Sequence, residues 1–371
     1  MPHVDVDQLA NNLSSLARAG RACPPSWDGC GDTHIVCGPG GEEIGRMLPG
    51  KGIQLFSDLK TLGITKGRIP HLYERSVTQR LIDKFCGDER GAISSYDGII
   101  AARAGGNADD VMFAKSSYTT VANVWSSSFR AAGLPAAGTY SNIPGGAAPD
   151  NTNVGALSLG FSNPSGGNSK YLLTFGFTSS SALQIVMLGD LLVAAGNISG
   201  SLNTSQTISS TALTRYTSGA GVYMTYEVTT ALGGTASNLT VTYTNQSGTG
   251  SRATAATAMT TSAIAQRLQP AGAGPFMVLQ SGDYGVQSVQ SLILSASMTA
   301  GVFALNLYKP LMWVPGIAAN IWTERDSTTQ IDGLQQLVTT AGGVLGCLAM
   351  YLYTNTTTSG LIVGGMRACA G

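Results

Sequence analysis

Apolar and polar residues repeat along the chain with two different periods. In Asp5–Gly20, Leu9, Leu13 and Leu16 recur at i, i+4 and i+7; Asp5 or Asp7 can cap the first turn and Gly20 can end the last. A short amphipathic helix is expected there. His71–Phe85 carries Leu72, Val77, Leu81, Ile82 and Phe85 among charged residues, which predicts a second helix with one apolar stripe. Between them, Pro24, Pro25, Gly29, Gly31, Gly38, Gly40 and Gly41 mark a loop around a strand-like Thr33–Cys37, and Gly50–Pro70 reads as irregular.

From Val111 onward the period is two. Val222, Met224, Tyr226 and Val228 alternate with Tyr223, Thr225, Glu227 and Thr229, and Leu239, Val241 and Tyr243 alternate with threonines; both read as half-buried antiparallel strands. Gly/Ser/Asn-rich turns at 231–237 and 245–251 follow them. Phe175 with Phe177, Leu183–Val193, Phe276–Gln280, Gln287–Leu294 and Phe303–Leu307 supply further strands, with Pro310 and Pro315 expected to stop the last. Gln330–Val338 reads as a short helix, and Val344–Tyr353 and Leu361–Met366 as a closing hairpin. The expected fold is mainly β: an antiparallel, jelly-roll-like β-sandwich body over 111–315, an extended N-terminal arm over 1–110 carrying short helices, and a C-terminal closing segment and hairpin over 316–371.

Charge changes this picture. The 371 residues hold 21 Lys+Arg against 21 Asp+Glu, a balance that excludes a strongly basic nucleic-acid binder. Glycine is abundant, at 48 residues, without the three-residue period of collagen. Residues 1–110 carry 12 Lys/Arg and 14 Asp/Glu, whereas the 261 residues that follow carry nine and seven. A soluble monomer covers roughly a quarter to a third of its surface with ionised groups. The body must therefore be coated with Thr, Ser, Asn and Gly, or be covered by other chains. Val4–Arg18 is too polar for a signal segment, and the apolar runs Leu188–Ala195 and Ala304–Val314 fall short of the roughly 18–20 residues of a membrane span. The expectation is a product that stays in the cytoplasm where it is made, without membrane contact, so that sequons such as Asn197-Ile-Ser are incidental.

Catalytic chemistry is hard to find. Cys23, Cys30 and Cys37 recur every seven residues, wider than the close cysteine pair of a structural zinc site, and Cys86, Cys347 and Cys369 are scattered; reduced thiols are expected. Gly38-Pro-Gly-Gly-Glu-Glu-Ile-Gly45 fails the dinucleotide fingerprint, because Glu43 would repel a phosphate. No Gly-Lys-Ser/Thr loop, Gly-x-Ser-x-Gly elbow or His-Glu-x-x-His occurs, and His3, His34 and His71 all precede the β body. Glu42-Glu43 and Asp109-Asp110 read as solvated loop carboxylates. Arg130, Arg215, Arg252, Arg267, Arg325 and Arg367 either lie solvated in loops or pair with Asp190, Glu227, Asp283 or Glu324 across subunits. No catalytic, cofactor-binding or metal-binding residue is assigned, and the chain is expected not to be an enzyme.

The stretch Leu239-Thr-Val-Thr-Tyr-Thr-Asn-Gln-Ser-Gly248, with Pro275–Ser291 and Phe303–Leu311, resembles the β-rich virion structural proteins of tailed bacteriophages, most nearly a capsid decoration or cement protein. The resemblance spans Tyr171 to Pro315 and, weakly, Trp125–Pro144. It is one of strand and turn style, so it transfers no functional residue. It implies a protein on the capsid exterior that bridges capsomers, binds the major capsid protein, associates with itself as a trimer or other homo-oligomer, and touches no nucleic acid. Two other classes are weighed beside it. A major, shell-forming capsid protein would carry its charge in the middle of the chain, which here is the charge-poor part. A receptor- or glycan-binding tail or head-fibre protein would need clustered rings, and Trp27, Trp125, Trp313 and Trp322 are scattered.

Overall fold

The computed structural model describes residues 93, 95–140, 148–159, 170–210, 212–261, 266–270, 274–329, 334–340, 344–357 and 359–370, and the backbone of three strands before them. The chain divides into two compact units, Met1–Arg90 and Gly91–Gly371. In the first, β1 (His34–Cys37), β2 (Glu43–Leu48) and β3 (Gly52–Leu55) form an antiparallel meander. The glycines and prolines around these segments suggest loop, yet Leu48 pairs with Gly52, and Gly52–Leu55, within the stretch expected to be irregular, is a strand. The helices expected at Asp5–Gly20 and His71–Phe85 lie outside the described residues.

The second unit is mainly β, as the period-two pattern requires. Its central sheet has the order β10 (Tyr223–Thr230), β16 (Val302–Pro315), β8 (Ile185–Ser199), β19 (Cys347–Thr354), β5 (Val124–Ser127) and β14 (Arg267–Pro270). A second sheet runs β12 (Arg252–Ala253), β11 (Ser237–Asn245), β15 (Val286–Leu294) and β9 (Gln206–Thr207), with β13 (Thr257–Met259) beside β11. The third runs β17 (Thr323–Asp326), β7 (Lys170–Ser179), β20 (Ser359–Ala370), β4 (Ala108–Thr119) and β6 (Gly133–Leu134), with β18 (Gln335–Leu337) beside β7. Every pairing is antiparallel.

The long strands β8 and β16 organise both cores. Near one end, Val193, Ala195 and Ile198 of β8 and Phe303, Leu305 and Leu307 of β16 pack with Leu239, Val241 and Tyr243 of β11 and Val289, Leu292 and Leu294 of β15. Near the other, Val186, Leu188, Met312 and Val314 join Leu348, Met350 and Leu352 against Phe113, Leu172, Phe175, Phe177, Ile362 and Met366 of the third sheet. One face of the central sheet thus covers two sandwiches in tandem. Strict alternation would put positions 303–307 and 312–314 of β16 on opposite faces. The register shift at Pro310/Met312, where Leu311 has no partner, brings both sets to one side, and unpaired Leu192 does the same for β8. Met187, Leu191, Tyr308, Ala349 and Tyr351 point the other way, into a third cluster with Trp125, Phe129 and Leu268.

Helix α1 (Tyr96–Ala104) is capped by Ser95, whose hydroxyl accepts from the Gly98 N–H, and Ala102 sits buried with Ile93, Leu173 and Cys369.

Four local expectations are corrected. β16 does not stop at Pro310 but runs to Pro315: β10 leaves it after Tyr308, so the missing N–H of Pro310 faces an edge. Phe276–Gln280 is not a strand, although the Met277 N–H donates to the Met224 carbonyl. Within 330–338, the residues expected to be helical, Gln335–Leu337 form a strand paired with β7. The last two strands do not form a hairpin: β19 lies between β8 and β5, and β20 between β7 and β4.

Candidate functional site

Five of the body's charged side chains, Lys115, Lys170, Asp190, Arg215 and Glu227, are buried. A buried charge costs several kcal/mol unless it is paired, and these residues meet that requirement to different degrees.

Asp190 is fully paired. It lies in β8 on the face where the two sandwich cores meet, and Arg215 from the loop before β10 holds it with two bonds, Nε to Oδ2 at 2.8 Å and Nη2 to Oδ1 at 2.9 Å. Arg215 Nη2 also donates to the carbonyls of Pro149 (2.8 Å) and Leu191 (3.3 Å). The carboxylate rests on Gly346, where any Cβ would come within 2.1 Å of Oδ2. Burial pushes the Asp190 carboxyl up, while Arg215 and the Cys347 backbone pull it down.

Glu227 is not fully paired. It projects from β10 to the opposite face of the central sheet and is completely buried. The Tyr140 hydroxyl donates to its Oε2, and Asn306 Nδ2 of β16 donates to that hydroxyl at 3.1 Å. The cation nearest Glu227 among the described residues is Arg130, with Nη1 3.9 Å from Oε1, too far for a hydrogen bond, while the same Nη1 donates to the Val228 carbonyl at 3.4 Å. Glu227 Oε1, Asn306 Oδ1, Thr225 Oγ1 and the Tyr351 hydroxyl have no hydrogen-bond partner, although Ser127 and Asn306 lie near enough to influence Glu227 and Tyr351. Burial above all raises the Glu227 carboxyl to about 7, against the downward pull of Tyr140 and Arg130.

A third carboxylate, Asp283, accepts from Tyr243 Oη (2.6 Å), Asn245 Nδ2 (2.7 Å) and Arg252 Nε (2.9 Å). These donors, Arg252 first, hold it down at about 2. Lys115 Nζ donates to the carbonyls of Ala131 (3.1 Å) and Pro135 (2.7 Å), and burial lowers it to about 8.

Two surface features remain. A cleft of about 410 Å³ is lined by Ile99 and Leu173 and rimmed by Arg103, Asp110, Asp326 and Arg367. Arg103 and Arg367 both reach Asp110, at 3.0 and 3.3 Å. At the end of β16, Trp313, Ile317, Ile321 and Trp322 are exposed, Ile317 by 77%.

Of the alternatives weighed for the arginines, loop solvation or pairing across subunits, neither holds for Arg215, Arg130 and Arg252, which meet Asp190, Glu227 and Asp283 within the chain. Asp110 is no loop charge: it stands in β4 and pairs with two arginines. Tyr140, Asn306 and Tyr351 carry no sequence signal, because the fold alone brings them to Glu227. Cys347 and Cys369 are free and buried, as expected of reduced thiols, and burial raises both. Among the described residues no group of three or more His, Cys, Asp or Glu could hold a metal, and no helix is long and apolar enough to cross a membrane. Cys23, Cys30 and Cys86 lie outside the described residues.

No protein-family model and no curated protein matches the chain. Solved structures to which it is similar include the VP2 subviral particle of infectious bursal disease virus, at 9% identity over 71% of this chain and 81% of that one with a TM-score of 0.17. Another is the Gx strain of the same virus, at 10% identity over 71% and 81%, with a TM-score of 0.18. At such scores the likeness transfers neither fold nor role.

Proposed function

We propose that this chain is a non-enzymatic structural protein of a virus particle, and specifically one that sits on the outside of a bacteriophage capsid and reinforces it by bridging capsomers. The observation that carries this reading is the poverty of charge on the body's surface. Only nine Lys/Arg and seven Asp/Glu follow residue 110, and five of those sixteen are buried. Trp313, Ile317 and Ile321 stand in solvent on the same unit. Such a surface suits permanent cover by other protein, since stable specific contacts bury about 1,000 Å² or more and are depleted in charge at their centres. The partners are the major capsid protein and further copies of this chain. The charged residues of the first 110 support the same reading, as groups able to meet a capsid surface.

Electron microscopy of the full-length protein, alone and mixed with preformed heads that lack it, tests this. The expected result is attachment only to preformed heads, which then survive higher temperature than bare heads. Closed shells formed by the protein alone would identify a major capsid protein. Free trimers that bind glycans would identify a receptor-binding one.

A further inference from the structure

We propose that Glu227, Tyr140, Arg130 and Asn306 form a proton-operated clamp that ties the 128–140 segment to the central sheet when Glu227 carries a proton and loosens it when Glu227 is ionised.

The geometry rests on a contrast within one molecule. Asp190 and Glu227 are both buried acids on the central sheet, but Asp190 meets a guanidinium in a two-bond fork and Glu227 does not. An ionised Glu227 would be a buried anion with two hydroxyls beside it, the Tyr140 phenol and Ser127, and an arginine held at 3.9 Å, whose side chain is itself a quarter exposed. A neutral Glu227 removes that anion and supplies an O–H where Asn306 Oδ1, Thr225 Oγ1 and Tyr351 Oη are short of partners.

The other titratable and charged groups around it do not supply the missing cation. From the 128–140 segment come Arg130 and Tyr140; from β19, Tyr351; from β16, Tyr308, which stacks on Tyr351 at 4.1 Å; and from β10 itself, Tyr223, stacked on Phe276. On β14, Arg267 pairs in register with Ser126 and has its Nε without a partner. Burial raises the carboxyl to about 7, which places the change of state near neutrality.

The sign follows. A carboxyl raised in the folded state adds stability fully present below its ordinary value near 4.5 and lost as pH rises through about 7. The loss falls on the segment that closes over Glu227. That segment is joined to β19 by the Ser128 N–H to the Met350 carbonyl (3.0 Å) and is folded on itself by the Ala131 N–H to the Ser128 carbonyl (3.1 Å) and the Gly138 N–H to the Phe129 carbonyl (2.8 Å).

Hydrogen exchange of the full-length protein, corrected for intrinsic rates, measures this between pH 6 and pH 8.5. Protection of the amides of Ser128, Ala131 and Gly138 is expected to drop by about tenfold in the wild type and to stay level in Glu227→Gln. Tyr140→Phe, which removes the phenol donor to the carboxylate, should move the drop to higher pH. A wild type without the drop, a Glu227→Gln variant that keeps it, or a Tyr140→Phe variant with an unmoved drop would each overturn the clamp. If Glu227→Gln does not fold, the Tyr140→Phe profile decides alone.

Discussion

Arg215 and Gly346 are two halves of one device, since one grips the Asp190 carboxylate and the other leaves room for it. Arg215→Met should cost about 3–5 kcal/mol, because Asp190 is left buried without its cation. Adding Asp190→Leu should recover most of that loss, the test being a double-mutant cycle in urea. Gly346→Ala puts a methyl group where the carboxylate sits and should lower the urea midpoint without touching Arg215. Asp283 shows the opposite pH behaviour to Glu227. Held at about 2 by Arg252, Tyr243 and Asn245, it stabilises the fold above the ordinary carboxylate range and loses that contribution as pH falls through about 2. Acid titration of the unfolding midpoint between pH 4 and 2 should therefore flatten in Asp283→Asn. The carboxylates in these pairs stood out in the sequence because so few others occur near them. Their intramolecular geometry did not, because Asp190 and Arg215 are joined only by the fold.

Among the elements, the strands that sequence shows best are those with one buried face. β10 and β11 alternate apolar and polar side chains, so period and boundaries are both readable. β8 is buried over nearly its whole length, and an unbroken apolar run does not say which residue faces which core. Its unpaired Leu192 falls between Leu191, opposite Tyr308, and Val193, opposite Leu307. Deleting Leu192 should turn one half of the strand over and abolish folding, whereas Leu192→Ala should cost only about 2–5 kcal/mol; circular dichroism and urea melts distinguish the two. At the end of β16, serine at Trp313, Ile317 and Ile321 should change stability little, since surface substitutions fall within about 0.5 kcal/mol each. If that patch is covered in the particle, the triple variant should lose attachment to preformed heads in a sedimentation assay.

For the whole molecule, the charge-poor surface predicts self-association of the body: sedimentation at rising concentration should show oligomers that persist at high salt, since few ion pairs are available to hold them. The two sandwiches of Gly91–Gly371 also share β8 and β16, paired from Val302 with Ser199 to Pro315 with Ile185. Domains joined by a linker can melt separately and swing. Halves built on the same pair of strands have no hinge between them, so calorimetry should register one transition for this unit. A pull applied at one sandwich then travels along covalent strand backbone to the other, and the unit behaves as a stiff strut that transmits load without bending.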